Sequence, residues 1–125
     1  MGDLSKDFSR HEFACTCGCG FDTVDTTTLE ILQWLRTETG KRVTITSACR
    51  CFAWNRVPIS EGGPGSNDNS QHPRARAADI KVLGWTPKEV YDLLDKKYKD
   101  QISLGLYNTF VHIDTRTNGP ARWKN

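Results

Sequence analysis

The chain has 125 residues, a formal net charge of +2 and a mean hydropathy of −0.58. This length suits one domain, residues 1–125, with a modest hydrophobic core, and it is too short for two. Nucleic-acid binders usually carry a larger, clustered positive excess, and a membrane span needs an apolar run of about 18 residues, which this sequence lacks. We therefore expect a monomer with no nucleic-acid partner and no membrane span.

The first ten residues, M-G-D-L-S-K-D-F-S-R, are mostly polar. They lack the apolar stretch of a secretory signal, so we expect the protein to stay in the cytoplasm of the producing cell until something releases it. Phe8 and Phe13 stand among charged residues. Their large apolar side chains predict that this segment is anchored on the core.

Five cysteines are present, an odd number that cannot pair completely within one chain. Reduced thiols are the default in a cytoplasmic protein. Cys15, Cys17 and Cys19 form C-x-C-x-C, which could be a thiolate metal site with Cys49 or Cys51 as fourth ligand. The spacing is tighter than the two to four residues usual for zinc. A turn of free or buried thiols is the alternative, and the sequence leaves both open.

Two amphipathic helices are predicted from apolar residues at helical spacing. The first begins at a capping box, Thr27-x-x-Glu30, and ends near Gly40, because glycine favours the left-handed backbone that follows a helix. The second begins at Thr86-Pro87-Lys88-Glu89, another capping box with proline at the first helical position. One face of each helix is thereby assigned to the core.

Four strands are expected, over residues 41–46, 77–82, 103–107 and 110–114, the last two forming an antiparallel hairpin. Side chains alternate along a strand, so the even-numbered apolar residues of 77–82 face the core and Asp79 faces a cleft. By the same rule His112 and Asp114 lie on one side of the last strand. Residues 56–69 are rich in turn formers and predict a loop at the rim of the cleft, in which Asp68 is a further acid.

The stretch from Ser70 to Asp79 reads S-Q-H-P-R-A-R-A-A-D and supplies an imidazole, His72, and a carboxylate. His112 is a second imidazole, and the chain has only three histidines. Two histidines and one aspartate, with a fourth position left for water, are typical of a catalytic zinc site. A loop histidine and a surface carboxylate are the alternative.

The pattern S-x-H-x-x-G-x-A-x-D, followed late in the chain by a histidine in an apolar strand, resembles the zinc D-Ala-D-Ala peptidases. That superfamily includes carboxypeptidases, phage endolysins that cut the L-Ala-D-Glu bond, and the hedgehog fold. The resemblance also covers F-S-R-H-E-F-A-C, I-T-S-A-C-R-C, G-L-Y-N-T-F-V-H-I-D-T-R and A-R-W, in the same order along nearly the whole chain.

The resemblance implies an α+β, hedgehog-like fold with a small, mostly antiparallel sheet and two main helices. It implies one Zn²⁺ per chain, held by His72, Asp79 and His112. Arg50, from T-S-x-x-R, would contact a substrate carbonyl or carboxylate, since a guanidinium offers fixed donors to an oxyanion. Ser70 and Gln71 are expected to bind substrate with it.

The function implied is hydrolysis of peptide stems in bacterial peptidoglycan by a phage endolysin, released by a holin and acting as an L-Ala-D-Glu endopeptidase. The alternative enzyme is a D-Ala-D-Ala carboxypeptidase. A non-catalytic, zinc-containing wall-binding module is the alternative of another class. Two departures favour it: Ala75 stands where the family has glycine, and Thr109 where several members have an acid.

A general base must take a proton from the water, and Asp114 is our candidate because it faces the same side as His112. Asp114 could instead orient a ligand histidine. A third arrangement exchanges the two, with Asp114 as the ligand and His112 as the base.

Overall fold

The structure is a computed structural model that describes residues 2–66, 70–117 and 119–124. Its helices are α1, Thr26–Thr39, α2, Phe52–Arg56, and α3, Pro87–Tyr98. Its strands are β1, Val43–Ser47, β2, Ala77–Val82, β3, Ser103–Leu106, β4, Val111–Asp114, and β5, Arg122–Lys124. Short 3-10 helices cover Arg10–Phe13, Ile59–Glu61 and His72–Arg74. The expected role of Asp68 falls outside the described residues.

The five strands form one sheet in the order β1-β2-β4-β3-β5. The pairs β1–β2, β2–β4 and β4–β3 are antiparallel, whereas β3 and β5 are parallel. The predicted α+β class and the predicted hairpin of the last two long strands are therefore confirmed. The expectation of a mostly antiparallel sheet is confirmed in part, since β3 and β5 pair in parallel where the chain after β4 turns back past β3 and pairs along its outer edge. The third helix, α2, has only five residues.

The hydrophobic core joins the N-terminal segment, α1, the sheet and α3. Phe8 and Phe13 are 1% and 0% exposed, which confirms that they anchor the N-terminal segment. On β2 the predicted alternation holds, since Ala78, Ile80 and Val82 are buried in the core. None of the helices among the described residues is long and apolar enough to cross a bilayer.

The capping box of α3 is confirmed. The Glu89 N–H donates to the Thr86 hydroxyl at 3.2 Å, and the Thr86 N–H donates to the Glu89 carboxylate at 2.9 Å. The capping box predicted for α1 at residues 27–30 is wrong, because the N-cap of that helix is Asp25, two residues before Thr27. The Asp25 carboxylate accepts hydrogen bonds from the hydroxyls of Thr28 and Thr115, so it ties α1 to the chain after β4.

The other predicted boundaries differ by a few residues at most. Gly40 ends α1 in the left-handed conformation, with φ 65°, as expected. The first strand was expected over 41–46 and covers Val43–Ser47. Its pairing with β2 shifts register between Ile45 and Ser47, three residues before Arg50.

Candidate metal centre

Asp79 on β2 and His112 on β4 are directly opposed in the antiparallel register of these two strands. Side chains that oppose each other across a strand pair lie on the same face. The Nδ1 atom of His112 is accordingly 2.9 Å from Oδ1 of Asp79. Two residues 33 positions apart in sequence thus meet because of strand register.

His72 reaches the same carboxylate from the 3-10 helix that precedes β2. Its Nδ1 lies 2.6 Å from the carbonyl oxygen of Ala48, an acceptor, so the hydrogen-bond network assigns the proton to Nδ1. The lone pair of Nε2 then faces Oδ1 of Asp79, 3.4 Å away. The histidine is 3% exposed, so its ring is fixed by packing as well as by this bond.

His112 is oriented from behind by Asp114. Its Nε2 lies 2.8 Å from Oδ2 of Asp114, a residue that is 0% exposed. Arg116 in turn donates to both oxygens of Asp114, from Nε at 2.9 Å and from Nη2 at 2.7 Å. A carboxylate that binds one nitrogen of a histidine fixes the tautomer in which the other nitrogen can bind a metal.

Nε2 of His72, a carboxylate oxygen of Asp79 and Nδ1 of His112 form a group whose ligand atoms lie within 4.8 Å of one another. Two imidazole nitrogens and one carboxylate oxygen are a donor set that suits a divalent transition metal. The carboxylates of Asp79 and Asp114 both face His112. Burial lowers the pKa of the His112 imidazole, but the hydrogen bonds to Asp114 and Asp79 raise this pKa by more. The arrangement thus favours a cation at this point, and the three residues fit a metal.

Electrostatics keep Asp79 ionised. Burial raises the pKa of its carboxyl, but the contacts with the imidazoles of His112 and His72 outweigh burial and hold this pKa below its usual range. For Asp114 burial acts in the same direction, and hydrogen bonds from Arg116 and His112 again hold the pKa low. Both carboxylates are therefore poor proton acceptors in this arrangement.

Arg50 lies beside the centre, at the end of the turn that follows β1. Its Nη2 is 3.3 Å from Oδ2 of Asp79, and its Nε donates to the Ser47 hydroxyl at 3.1 Å. Nη1 contacts the side-chain oxygens of Asn55 at 3.3 Å and Ser66 at 3.4 Å. Burial lowers the pKa of Arg50, while the charge of Asp79 opposes that shift. The guanidinium is thus held in one place against the ligand carboxylate.

A cavity of about 540 Å³ opens above the three candidate ligands. Its other lining residues are Arg50, Pro64, Gly65, Ser66, Ser70, Gln71, Tyr107, Phe110, Arg116 and Trp123. Every expected site residue except Asp114 is among the lining residues or the ligands. Asp79 is the single carboxylate on this cavity surface within the described part of the chain.

Ser70 and Gln71 line the cavity, as expected for substrate-binding residues, but Ser70 also shapes the local turn. Its hydroxyl accepts the N–H of His72 at 3.2 Å. Ala75 ends this turn in the left-handed conformation, with φ 59° and ψ 27°. Glycine adopts that conformation without strain, which explains why the resembled pattern has glycine where this chain has alanine.

Sequence reasoning did not predict that Arg116 and Trp123 line the cavity. The Trp123 ring lies 5.2 Å from the His112 ring, and the Arg116 guanidinium lies 5.4 Å above the indole. A Cβ atom at Gly105 would lie 2.4 Å from this indole, so glycine is required there. Trp123 thus packs against Gly105 and His112 and also lines the cavity. The A-R-W motif could have indicated a role for Trp123 in the site. Its contacts with His112 and Gly105 depend on the pairing of β5 with β3, which the sequence pattern does not contain.

Of the comparisons with known proteins, the one with family models gives a match. No curated protein and no solved structure matches the chain. The family model described as Peptidase M15 matches residues 6–114. That range includes all three candidate ligands and Arg50. The chain therefore belongs to the peptidase M15 family, a family of metal-dependent peptidases.

Proposed function

We propose that this metallopeptidase is a zinc enzyme that hydrolyses the stem peptides of bacterial peptidoglycan, as an L-Ala-D-Glu endopeptidase of the phage endolysin type with a hedgehog-like fold. The observation that carries the proposal is the convergence of His72, Asp79 and His112 under an open cavity. Each imidazole has its second nitrogen held by a fixed partner. Such preorganisation is what a catalytic metal site requires.

The three ligands would hold one zinc ion, which when bound supplies Lewis acidity toward a carbonyl and lowers the pKa of water. The guanidinium of Arg50 lines the cavity and lies beside the ligand carboxylate of Asp79. At this position it would donate hydrogen bonds to the substrate oxygen that becomes negative during peptide cleavage. Stem peptides carry free carboxylates, and Arg116 adds a second guanidinium to the cavity surface. Ser70 and Gln71, which also line the cavity, would contact the peptide.

For Asp114 the contacts support the orienting role, which the sequence left open beside the role of base. Its carboxylate is buried, bound by Arg116 and separated from the cavity by His112. The base assignment stays a prediction. If Asp114 orients, the proton acceptor has to come from elsewhere, and Asp68 is the acid nearest the motif in sequence, between the cavity-lining residues Ser66 and Ser70.

A non-catalytic wall-binding module is the second candidate. The observation in its favour is that no carboxylate other than the ligand Asp79 lines the cavity among residues 2–66, 70–117 and 119–124. A module of this kind would keep the metal and the cavity and would bind peptidoglycan without cleaving it.

Digestion of purified peptidoglycan tests these alternatives. The zinc-loaded protein is incubated with sacculi, and the products are identified by mass spectrometry of the muropeptides. New D-Glu amino termini support the endopeptidase, and free D-alanine indicates the carboxypeptidase. Sedimentation with sacculi without any product supports the module. His72→Ala is the control, because it removes one ligand and should give no product.

A further inference from the structure

Four of the five cysteines lie together, and none of them is among the residues that line the peptidase cavity. The Sγ atoms of Cys15, Cys17, Cys19 and Cys51 all lie within 4.8 Å of one another. The first three belong to one loop, and Cys51 is the N-cap of α2. Sequence spacing left the fourth member undecided between Cys49 and Cys51, and the fold selects Cys51.

The sulfur separations fit a tetrahedral metal site. Cys15 and Cys17 have their Sγ atoms 3.4 Å apart, and those of Cys17 and Cys51 are 3.7 Å apart. A disulfide requires about 2.0 Å between sulfurs. Four thiolates around one zinc ion at about 2.3 Å each are separated by about 3.8 Å along the edges of the tetrahedron. The measured separations are close to the second value.

Backbone N–H groups point at two of the sulfurs, which favours the thiolate form at these positions. The N–H of Cys51 donates to Sγ of Cys15 at 3.5 Å, and the N–H of Trp54 donates to Sγ of Cys51 at 3.4 Å. Cys49 differs, because its thiol donates to the carbonyl oxygen of Thr23 and therefore keeps its proton. It is also buried away from the cluster.

The loop that carries Cys15, Cys17 and Cys19 contains tight turns that bring its thiols together. Gly18 and Gly20 have φ angles of 84° and 91°, which bend the backbone between and after Cys17 and Cys19. The N–H of Cys15 donates to the carbonyl of Phe21 at 2.7 Å and closes the loop at its base. Tight turns of this kind bring thiols with a one-residue spacing to a common point.

We propose that Cys15, Cys17, Cys19 and Cys51 bind a second metal ion, a structural zinc or another thiolate-preferring divalent cation. On binding, the thiols release their protons to solvent and each sulfur donates an electron pair to the metal. A closed site of four thiolates has no open position and is structural. It ties the loop at residues 15–21 to the start of α2, one residue after Arg50, and thereby supports the cavity wall.

Metal content with matched cysteine variants tests this site. Protein purified under reducing conditions with zinc should contain two ions per chain, and the double variant Cys17→Ser/Cys19→Ser should contain one. Cys17 and Cys19 are exposed, so these changes leave no buried cavity. The control is Cys49→Ser, the same substitution at a cysteine outside the cluster, which should keep two ions. His72→Ala/His112→Ala should keep one ion, the one bound by sulfur.

Cobalt substitution provides a measurement on the unaltered protein, which stays informative if a variant fails to fold. Cobalt(II) in a tetrahedral thiolate site gives intense sulfur-to-metal charge-transfer absorption, and we expect this band in the parent chain and in His72→Ala/His112→Ala. The proposal is overturned if the parent chain binds one ion, shows no such band and has either five reactive thiols or a disulfide by mass spectrometry.

Discussion

Replacing Asp114 by Asn separates the two roles that the sequence left open for this carboxylate. The change removes one charge and keeps the shape of the side chain. Asp114 accepts hydrogen bonds from His112 Nε2 and from the N–H, Nε and Nη2 groups of Arg116. An amide has one oxygen to accept with, and its NH₂ group would face a donor.

The size of the effect follows from these contacts. Loss of a carboxylate that orients a ligand histidine typically weakens metal binding by about 10–100-fold, or roughly 1.4–2.7 kcal/mol. Loss of hydrogen bonds to a charged, buried acceptor costs about 1.5–3 kcal/mol of folding stability. We therefore expect weaker metal binding at the His72–Asp79–His112 centre and a lower Tm, with activity per bound metal largely retained.

Three measurements check this expectation. Competition with a chromophoric chelator gives the metal Kd, thermal unfolding gives Tm, and peptidoglycan digestion at saturating zinc gives turnover of the folded, loaded enzyme. Asp92→Asn is the control, since it removes a carboxylate from an exposed pair with Lys88, where such pairs are worth about 0.2–1 kcal/mol. An unchanged metal Kd together with a turnover lowered on the order of a hundredfold would refute the orienting role and establish Asp114 as the base.

The remaining predictions concern the ligands and two backbone positions. His72→Ala and His112→Ala should each abolish peptidase activity and remove the metal from this centre, as measured by metal analysis; retention of activity would exclude that histidine as a ligand. Ala75→Gly should raise the free energy of unfolding by about 0.5–1 kcal/mol in urea titration, because relief of about 1–2 kcal/mol of left-handed strain exceeds the added entropy of the unfolded chain; a lower stability would contradict the strain. Gly105→Ala should destabilise the fold by about 1–3 kcal/mol, since its Cβ would overlap the Trp123 indole, and an unchanged Tm would show that the indole moves freely.

Local patterns in the sequence were sufficient for the elements that present the site. Strict alternation over residues 77–82 placed Asp79 on the face opposite the core, and β2 covers the same residues in the structure. The Thr86 hydroxyl and the Glu89 carboxylate predicted the start of α3 correctly, because both hydrogen bonds of the capping box form within one helical turn. The N-cap of the first helix was misplaced by two residues, because the observed N-cap, Asp25, is bound by the distant Thr115, a contact that no local pattern contains.

The motif residues His72, Asp79 and His112 were recognisable in sequence, but their mutual distances depended on the register of β2 with β4 and on the turn held by Ala48. Sequence could not decide whether Cys49 or Cys51 joins the other three cysteines, because the two are only two residues apart. The turn into α2 directs the thiol of Cys51 toward the loop that carries Cys15, Cys17 and Cys19. Trp123 reaches the cavity because β5 pairs with β3 at the edge of the sheet, and Arg116 is held at the cavity by its bonds to Asp114. Sequence periodicity determines which face of an element is apolar, whereas long-range strand register determines which polar side chains meet, and the latter is a property of the whole sheet.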